Sequence, residues 1–282
     1  MRKIWTLIGC FIILIGVGAM CYPSFANFIN QKYAVQVIQK YQENVDNREQ
    51  TEIDGLIGLA NQYNKTLPNG YPADPFTGDN ISEKAKTEFK DFFMLKPESM
   101  IGYLEIPSQR LYLPIKYGTS ESALSESCGL VENSSLPVGG KGTHAVIAGH
   151  SGMASTRNLS DIDKLKKGEM FFVHVLDRHY AYKVDKISVI LPDETDELQL
   201  VNDKDYVTLV TCTPFGVNDH RLLVRGERVE YEFSEDKLKL PALGQLKDTG
   251  LWIFILSCAG SAALLICIIA LIVKFSFRKK IK

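Results

Sequence analysis

Two apolar runs sit at opposite ends of the chain, and they confine any globular fold to what lies between them. Leu251 to Val273 covers 23 residues without a charge, about 34 Å as a helix at 1.5 Å per residue, enough to cross a bilayer with some tilt. Lys274, Arg278, Lys279, Lys280 and Lys282 follow it. From Ile4 to Tyr22 the chain is again apolar apart from Thr6, the glycines and the cysteines, with Arg2 and Lys3 directly ahead. Residues 1–26 therefore read as a signal peptide or an uncleaved N-terminal signal-anchor helix. Ser24-Phe25-Ala26 offers a small-x-small site for cleavage before Asn27. Basic flanks favour the cytoplasmic side, which puts both ends there and the residues between them outside the cell membrane. A buried core helix is the competing reading of Leu251 to Val273, but that run has no polar face.

The remainder is ordinary globular material. Lys and Arg number 32 against 33 Asp and Glu, so no basic field exists to hold nucleic acid by counterion release, and nucleic acid is not an expected partner. With 45% hydrophobic and 23% charged residues over 282, the chain is neither disordered nor a multi-span membrane protein. Four of its six cysteines, Cys10, Cys21, Cys258 and Cys267, fall in or beside the apolar runs. Only Cys128 and Cys212 remain in the middle, and a region of that size has core enough without a disulfide.

Residues 28 to about 66 read as helical, with Tyr33, Val37, Tyr41 and Val45 on one stripe and Ile53, Leu56, Ile57, Ala60 and Tyr63 on a second. The stretch from Leu67 to Gly78 holds three prolines and two glycines and must be a loop. From Met100 the pattern turns to short β-rich runs at 101–106, 111–117, 144–148, 170–176, 180–191, 206–211 and 222–233. One helical candidate lies among them, around Asn158 to Lys167. Seven or eight strands with a single helix predict a mostly β, closed or nearly closed barrel of about eight strands, with helices ahead of it.

Three stretches carry reactive side chains. Thr208-Leu209-Val210-Thr211-Cys212-Thr213-Pro214 is a strand running into a turn. Cys212 at its end is half exposed beside free backbone N–H groups, as a nucleophilic thiolate requires; the alternative is a small buried core residue. Thr143 to Gly152 is a second strand ending in a turn, with His144 and His150. Six residues of strand separate them by about 20 Å, so one site cannot use both, and His150 at the loop end is the candidate acid or base. His174 and His179 flank a hairpin and read as surface residues. The third stretch, Asn218 to Gly226, opens the strand after the cysteine loop, and a hairpin would return Arg221 beside Cys212. Its guanidinium suits a substrate carbonyl or a developing oxyanion, with a surface salt bridge as the alternative. His220 is a rival base, but alternation turns it away if Arg221 faces the site. No phosphate-binding or dinucleotide motif is present, and no cofactor or metal is expected.

Thr208-Leu209-Val210-Thr211-Cys212 matches the TLxTC signature of sortases, the membrane-anchored cysteine transpeptidases of Gram-positive bacteria. The run TLVTCTPFGVNDHRLLVRG from Thr208 to Gly226, Leu136-Pro137-Val138-Gly139-Gly140 and the HAVIAGH run resemble the class C, pilus-building branch over roughly residues 50 to 273. The resemblance implies a sortase β-barrel in which Cys212 attacks the Thr–Gly carbonyl of an LPxTG-like sorting signal. A thioacyl enzyme forms, and a lysine amine of another pilin resolves it. His150 would be the general acid and base, and Arg221 the substrate and oxyanion donor. Asp74-Pro75-Phe76 matches the lid motif of this branch, implying that Asp74 pairs with Arg221 and that Phe76 covers the Cys212 sulfur. Ser151 and Phe215 depart from the branch, where Arg and Tyr are frequent.

These readings divide the chain into an end segment (1–26), a helical region (27–98) with a lid loop at 71–78, a barrel (99–235), a linker (236–250), a transmembrane helix (251–273) and a basic cytoplasmic tail (274–282). The expected partners are pilin subunits with sorting signals and acceptor lysines, and the cell membrane. A sortase that anchors proteins to peptidoglycan, a secreted cysteine protease and a non-enzymatic tethered β-domain are the alternative readings.

Overall fold

The computed structural model describes residues 2–67, 74–76, 100–125, 127–151, 158–234, 240, 255–256 and 259–260. The expected transmembrane helix at 251–273 is described only at Ile255, Leu256, Ala259 and Gly260, which are helical. Its basic tail, most of the linker at 236–250 and lid-loop residues 71–73 and 77–78 lie outside the described residues.

Period-two alternation over 100–229 produces eight strands: β1 (Met100–Ile106), β2 (Leu111–Tyr117), β3 (Cys128–Leu130), β4 (Thr143–Ala148), β5 (Met170–Val175), β6 (Arg178–Ile190), β7 (Asp205–Thr213) and β8 (His220–Val229). They close into a barrel in the order β1-β2-β3-β4-β7-β8-β6-β5, with β5 pairing back to β1. The pairs β2–β3 and β4–β7 are parallel and the others antiparallel. Closure leaves no free edge along the barrel.

The barrel interior takes every second residue. Ala145 and Ile147 of β4, Val207 and Leu209 of β7, and Leu222 and Val224 of β8 join one large buried cluster. The alternate residues Val146, Ala148, Val210 and Leu223 form a second cluster on the outer face, covered by Val131, Ile190 and Leu198. These three strands are therefore buried on both sides, which is why they read as nearly continuous apolar runs.

Among the described residues, two helices precede the barrel: α1 (Arg2–Asp46) and α2 (Gln50–Thr66). α1 runs unbroken through Ser24–Ala26 with Pro23 inside it, and its stretch Phe11–Asp46 is long and apolar enough to cross a membrane. Ile38, Tyr41 and Val45 of α1 and Ile53, Leu56 and Ala60 of α2 merge with the barrel core. The Tyr41 hydroxyl donates to Ile101 O and accepts from Leu176 N, both at 2.8 Å. Asn64 of α2 is bonded both ways to the Leu136 backbone, at 3.0 and 2.7 Å. The helices are thus tied to two sides of the barrel.

Three sequence expectations change. Asn158 to Lys167 is not an α-helix but a turn with a short 3-10 segment at Ile162–Lys164. Leu159, Ile162 and Leu165 are all buried and recur every third residue, the 3-10 period. β3 escaped the sequence reading because its three residues Cys-Gly-Leu are too few to alternate visibly. His174 is not at the surface: it is 1% exposed, stacked on Tyr103 at 4.3 Å, with Nε2 3.1 Å from Glu105 Oε2 and Nδ1 2.8 Å from His179 Nδ1. β5 pairs with β1 as well as with β6, so its hairpin end is covered from both sides.

Candidate active site

Register and parity bring the candidate residues together. Cys212 of β7 lies directly opposite Arg221 of β8 in the antiparallel ladder. β4 runs parallel to β7 with Ala148 level with Val210, so His150, two residues on, emerges level with Cys212, two residues beyond Val210. Val210, Leu223 and Ala148 belong to the outer cluster, and counting by twos puts Cys212, Arg221 and His150 on that same face. Residues 62 and 71 positions apart in the chain converge because three strand ends stop at one level.

Local bonds hold that level. Gly149 N donates to Val210 O at 3.0 Å, Thr211 Oγ1 donates to Gly149 O at 2.7 Å, and Ser151 Oγ donates to Cys212 O at 2.5 Å. Gly149 has no room for a side chain, because a Cβ there would stand 2.7 Å from Leu159 Cγ and 3.4 Å from Cys128 Sγ. Cys128, buried and free, therefore packs beneath the turn that presents His150. Cys212 is also a free thiol and is half-buried.

Arg221 is the most constrained of the three. Its Nε and Nη2 donate to Asp74 Oδ1 and Oδ2 at 2.8 and 2.7 Å, and Nη1 donates to the carbonyl oxygens of Asn218 and His220 at 3.0 and 3.1 Å. Only 7% of the residue is exposed. Its fork of donors is filled by one carboxylate, a bidentate geometry well suited to Arg. Pro75 is buried, and Phe76 sits with its ring 5.1 Å from Arg221 Cζ and 5.9 Å from the His150 ring, packed on the outer apolar cluster. The tripeptide thus spans the space between the histidine and the arginine.

Electrostatics follow from this closure. Burial pushes the Cys212 thiol up, Arg221 pulls it down, and Asp74 pushes it up again. Arg221 is raised, chiefly by its hydrogen bonds to Asp74. Asp74 therefore occupies the guanidinium and offsets the help it gives the thiol.

The other histidines stay apart. His144, at the far end of β4, is buried, with its ring nitrogens 2.8 Å from Gln199 O and 2.7 Å from Thr208 Oγ1. Burial holds it neutral, lowered to about 4. His220 pairs with Asp219 at 2.8 Å in solvent. Among the described residues no group of His, Cys, Asp and Glu suits a metal ion. Sequence reasoning missed Glu121, whose carboxylate reaches His150, and the apolar wall of Ile190 and Leu198. Neither carries a motif, and both reach the site only through tertiary contacts.

A family model for the sortase domain matches residues 104–229. Sortase A of Bacillus anthracis is 31% identical over 186 residues, covering 58% of this chain and 86% of that protein. Among solved structures, sortase C of Streptococcus pneumoniae, described in terms of catalysis and pilin substrate specificity, is 42% identical with a TM-score of 0.63, covering 70% of this chain and 97% of that one. A pilus-related sortase C of Group B Streptococcus is 39% identical with a TM-score of 0.62, over 68% of this chain and 97% of that one. With the closed eight-stranded barrel, these likenesses show that the chain belongs to the sortases, a family of cysteine transpeptidases, on the class C branch.

Proposed function

We propose that this sortase cleaves an LPxTG-like sorting signal between Thr and Gly and joins the acyl part to a lysine amine of another pilin subunit. The observation that carries this reading is the pairing of Cys212 with Arg221 across β7 and β8, with His150 level on β4 and Asp74 in the arginine's fork. Cys212 attacks the Thr carbonyl. The oxyanion takes the Nε and Nη2 donors of Arg221, a stabilisation that removing one such donor typically costs about 3 to 4 kcal/mol. His150 gives its proton to the leaving Gly amine, and the thioacyl enzyme remains. A lysine amine then attacks the thioester, His150 takes a proton from it, and Sγ leaves as thiolate.

Substrate and lid compete for Arg221, because one fork cannot hold both the Asp74 carboxylate and a substrate carbonyl. Asp74-Pro75-Phe76 is accordingly an autoinhibitory lid, and Phe76 fills apolar surface that the sorting signal needs. The exposed apolar side chains of α1, among them Phe11, Ile12 and Met20, support anchorage in the cell membrane, with the barrel on its outer side.

The test uses the full chain in detergent micelles, as wild type and as Asp74→Ala, with an LPxTG peptide and competing amines, and products are read by mass spectrometry. A lysine isopeptide is expected. A wall-peptide adduct would mean peptidoglycan anchoring, and water as the sole acceptor would mean a protease. If no thioacyl adduct forms on Cys212 even in Asp74→Ala, the catalytic assignment falls.

A further inference from the structure

The short helix α3 (Glu121–Leu124) stands where β4 ends. Its position is fixed by several contacts. Ser120 Oγ caps it by accepting from Ala123 N at 3.4 Å, Ala123 and Leu124 are buried, and Ser127 Oγ and Asn158 Nδ2 donate to the Ala123 and Leu124 carbonyls at 2.5 and 2.8 Å. β3, which follows, pairs Gly129 with Ala148, two residues before His150. The outcome is a carboxylate oxygen, Glu121 Oε2, 3.5 Å from His150 Nε2.

The two partners differ in solvation. The Glu121 side chain is 81% exposed and that of His150 only 21%. Nε2 itself is closed off from solvent and has no hydrogen-bond partner among the described residues. A buried ring nitrogen in that state is costly when it bears a proton, and an exposed carboxylate 3.5 Å away can satisfy it with a small movement. Among the described residues, the other charged and titratable groups at this end of the barrel include Cys212 on β7, Arg221 on β8 and Asp74 on the proposed lid. Of these, Asp74 is committed to Arg221, and Cys212 loses its negative charge when the thioester forms.

We propose that Glu121 is a positioning residue for His150, accepting a hydrogen bond from Nε2–H and leaving Nδ1 to exchange the reacting proton. This rests on His150 being the acid and base of the proposed reaction. When the tail is released, the C–N bond breaks and the imidazolium proton goes to the leaving amine. On resolution, the neutral ring takes a proton from the attacking amine as the C–S electron pair returns to sulfur. The ring's charge changes in both steps, and Glu121 is a fixed anion beside it in both.

The test compares Glu121→Gln with its parent in the full chain in detergent micelles, both carrying Asp74→Ala so that the lid contact limits neither. The substrates are an LPxTG peptide and a lysine-bearing acceptor peptide. Glu121→Gln keeps the side chain's size and removes its charge. Turnover is expected to fall roughly fivefold, the upper end for an ion pair with one exposed member, with KM and Tm unchanged. An unchanged kcat, a loss confined to KM, or a loss that tracks a lower Tm would each overturn the proposal. His150→Ala in the same background separates the two levels of inference. If it turns over normally, the role of His150 fails; if it is dead while Glu121→Gln is fully active, only the role of Glu121 fails.

Discussion

Two buried charged clusters sit on opposite parts of the same barrel, and they differ in what carries the carboxylate. On β1, β2, β5 and β6, Glu105 meets His174 at 3.1 Å and the Tyr112 hydroxyl at 3.3 Å, while His174 meets His179 at 2.8 Å. Every member of that cluster belongs to a paired strand. At the β4, β7 and β8 ends, the carboxylate is Asp74, on a tripeptide that belongs to no helix or strand. A strand-borne carboxylate cannot leave when its partner is lost, so its loss registers as stability. A carboxylate outside the ladders can move to water, so its loss registers as activity.

The largest effect should fall on activity. Arg221→Ala removes the proposed oxyanion donors and should lower kcat about a hundred- to a thousandfold while Tm barely moves, because Asp74 belongs to no helix or strand. A Tm loss as large as that of a core variant would place Asp74 with the strand-borne kind. His174→Ala is the converse. It deprives the Glu105 carboxylate of its imidazole partner and empties the space stacked on Tyr103, at a cost of about 2 to 3 kcal/mol, or roughly 5 to 10 °C in Tm for a domain of this size. Peptide turnover well below the melting range should be unaffected, and a comparable loss of kcat would erase the contrast.

His144, at the far end of β4, extends the test to pH. Burial holds its folded-state value at about 4, below the ordinary 6.5. Between those values the unfolded chain binds a proton that the folded one refuses. Stability is therefore complete above pH 6.5 and falls as pH drops towards 4, by up to about 3 kcal/mol from this residue. Calorimetric melting at pH 7 and pH 4.5 should show the loss, and His144→Gln should reduce its steepness by about half, leaving the share of His179. An equally steep pH dependence in the variant would assign the effect elsewhere, to His179 first, which burial also holds at about 4.

Much of this layout was legible in the sequence because it rests on periodicity and chain order. Alternation revealed seven of the eight strands, and the nine-residue return from Cys212 to Arg221 revealed their pairing. Parity on β8 was enough to turn His220 away from the site. What depends on contacts between distant segments was not legible. His174 looked like a hairpin surface residue because nothing in its neighbourhood signals that β1 covers it. Leu159, Ile162 and Leu165 could be taken for a helix because a few apolar residues do not separate a period of 3 from 3.6. Glu121 has only a serine cap before it to attract notice, and its nearness to His150 comes from the β3–β4 pairing.

The smallest predicted effect is the most direct probe of the proposed lid. Burial raises the Cys212 thiol, Arg221 lowers it and Asp74 raises it. Asp74→Ala removes the raising charge, frees the guanidinium and loosens the cover of Phe76, so all three changes favour the thiolate. Iodoacetamide alkylation, read at Cys212 by peptide mass spectrometry, should shift its pH–rate curve to lower pH. A shift of one pH unit would give about a tenfold faster rate near neutrality. Asp74→Asn separates charge from cover: it removes the anion but can still accept from Arg221, so its curve should lie between wild type and alanine. Cys128 provides the internal control, since complete burial raises its thiol and should keep it unlabelled in the folded protein. A curve for Asp74→Ala at the same or higher pH than wild type would mean that Asp74 does not restrain Cys212, and the contrast between strand-borne and lid-borne carboxylates would lose its functional half.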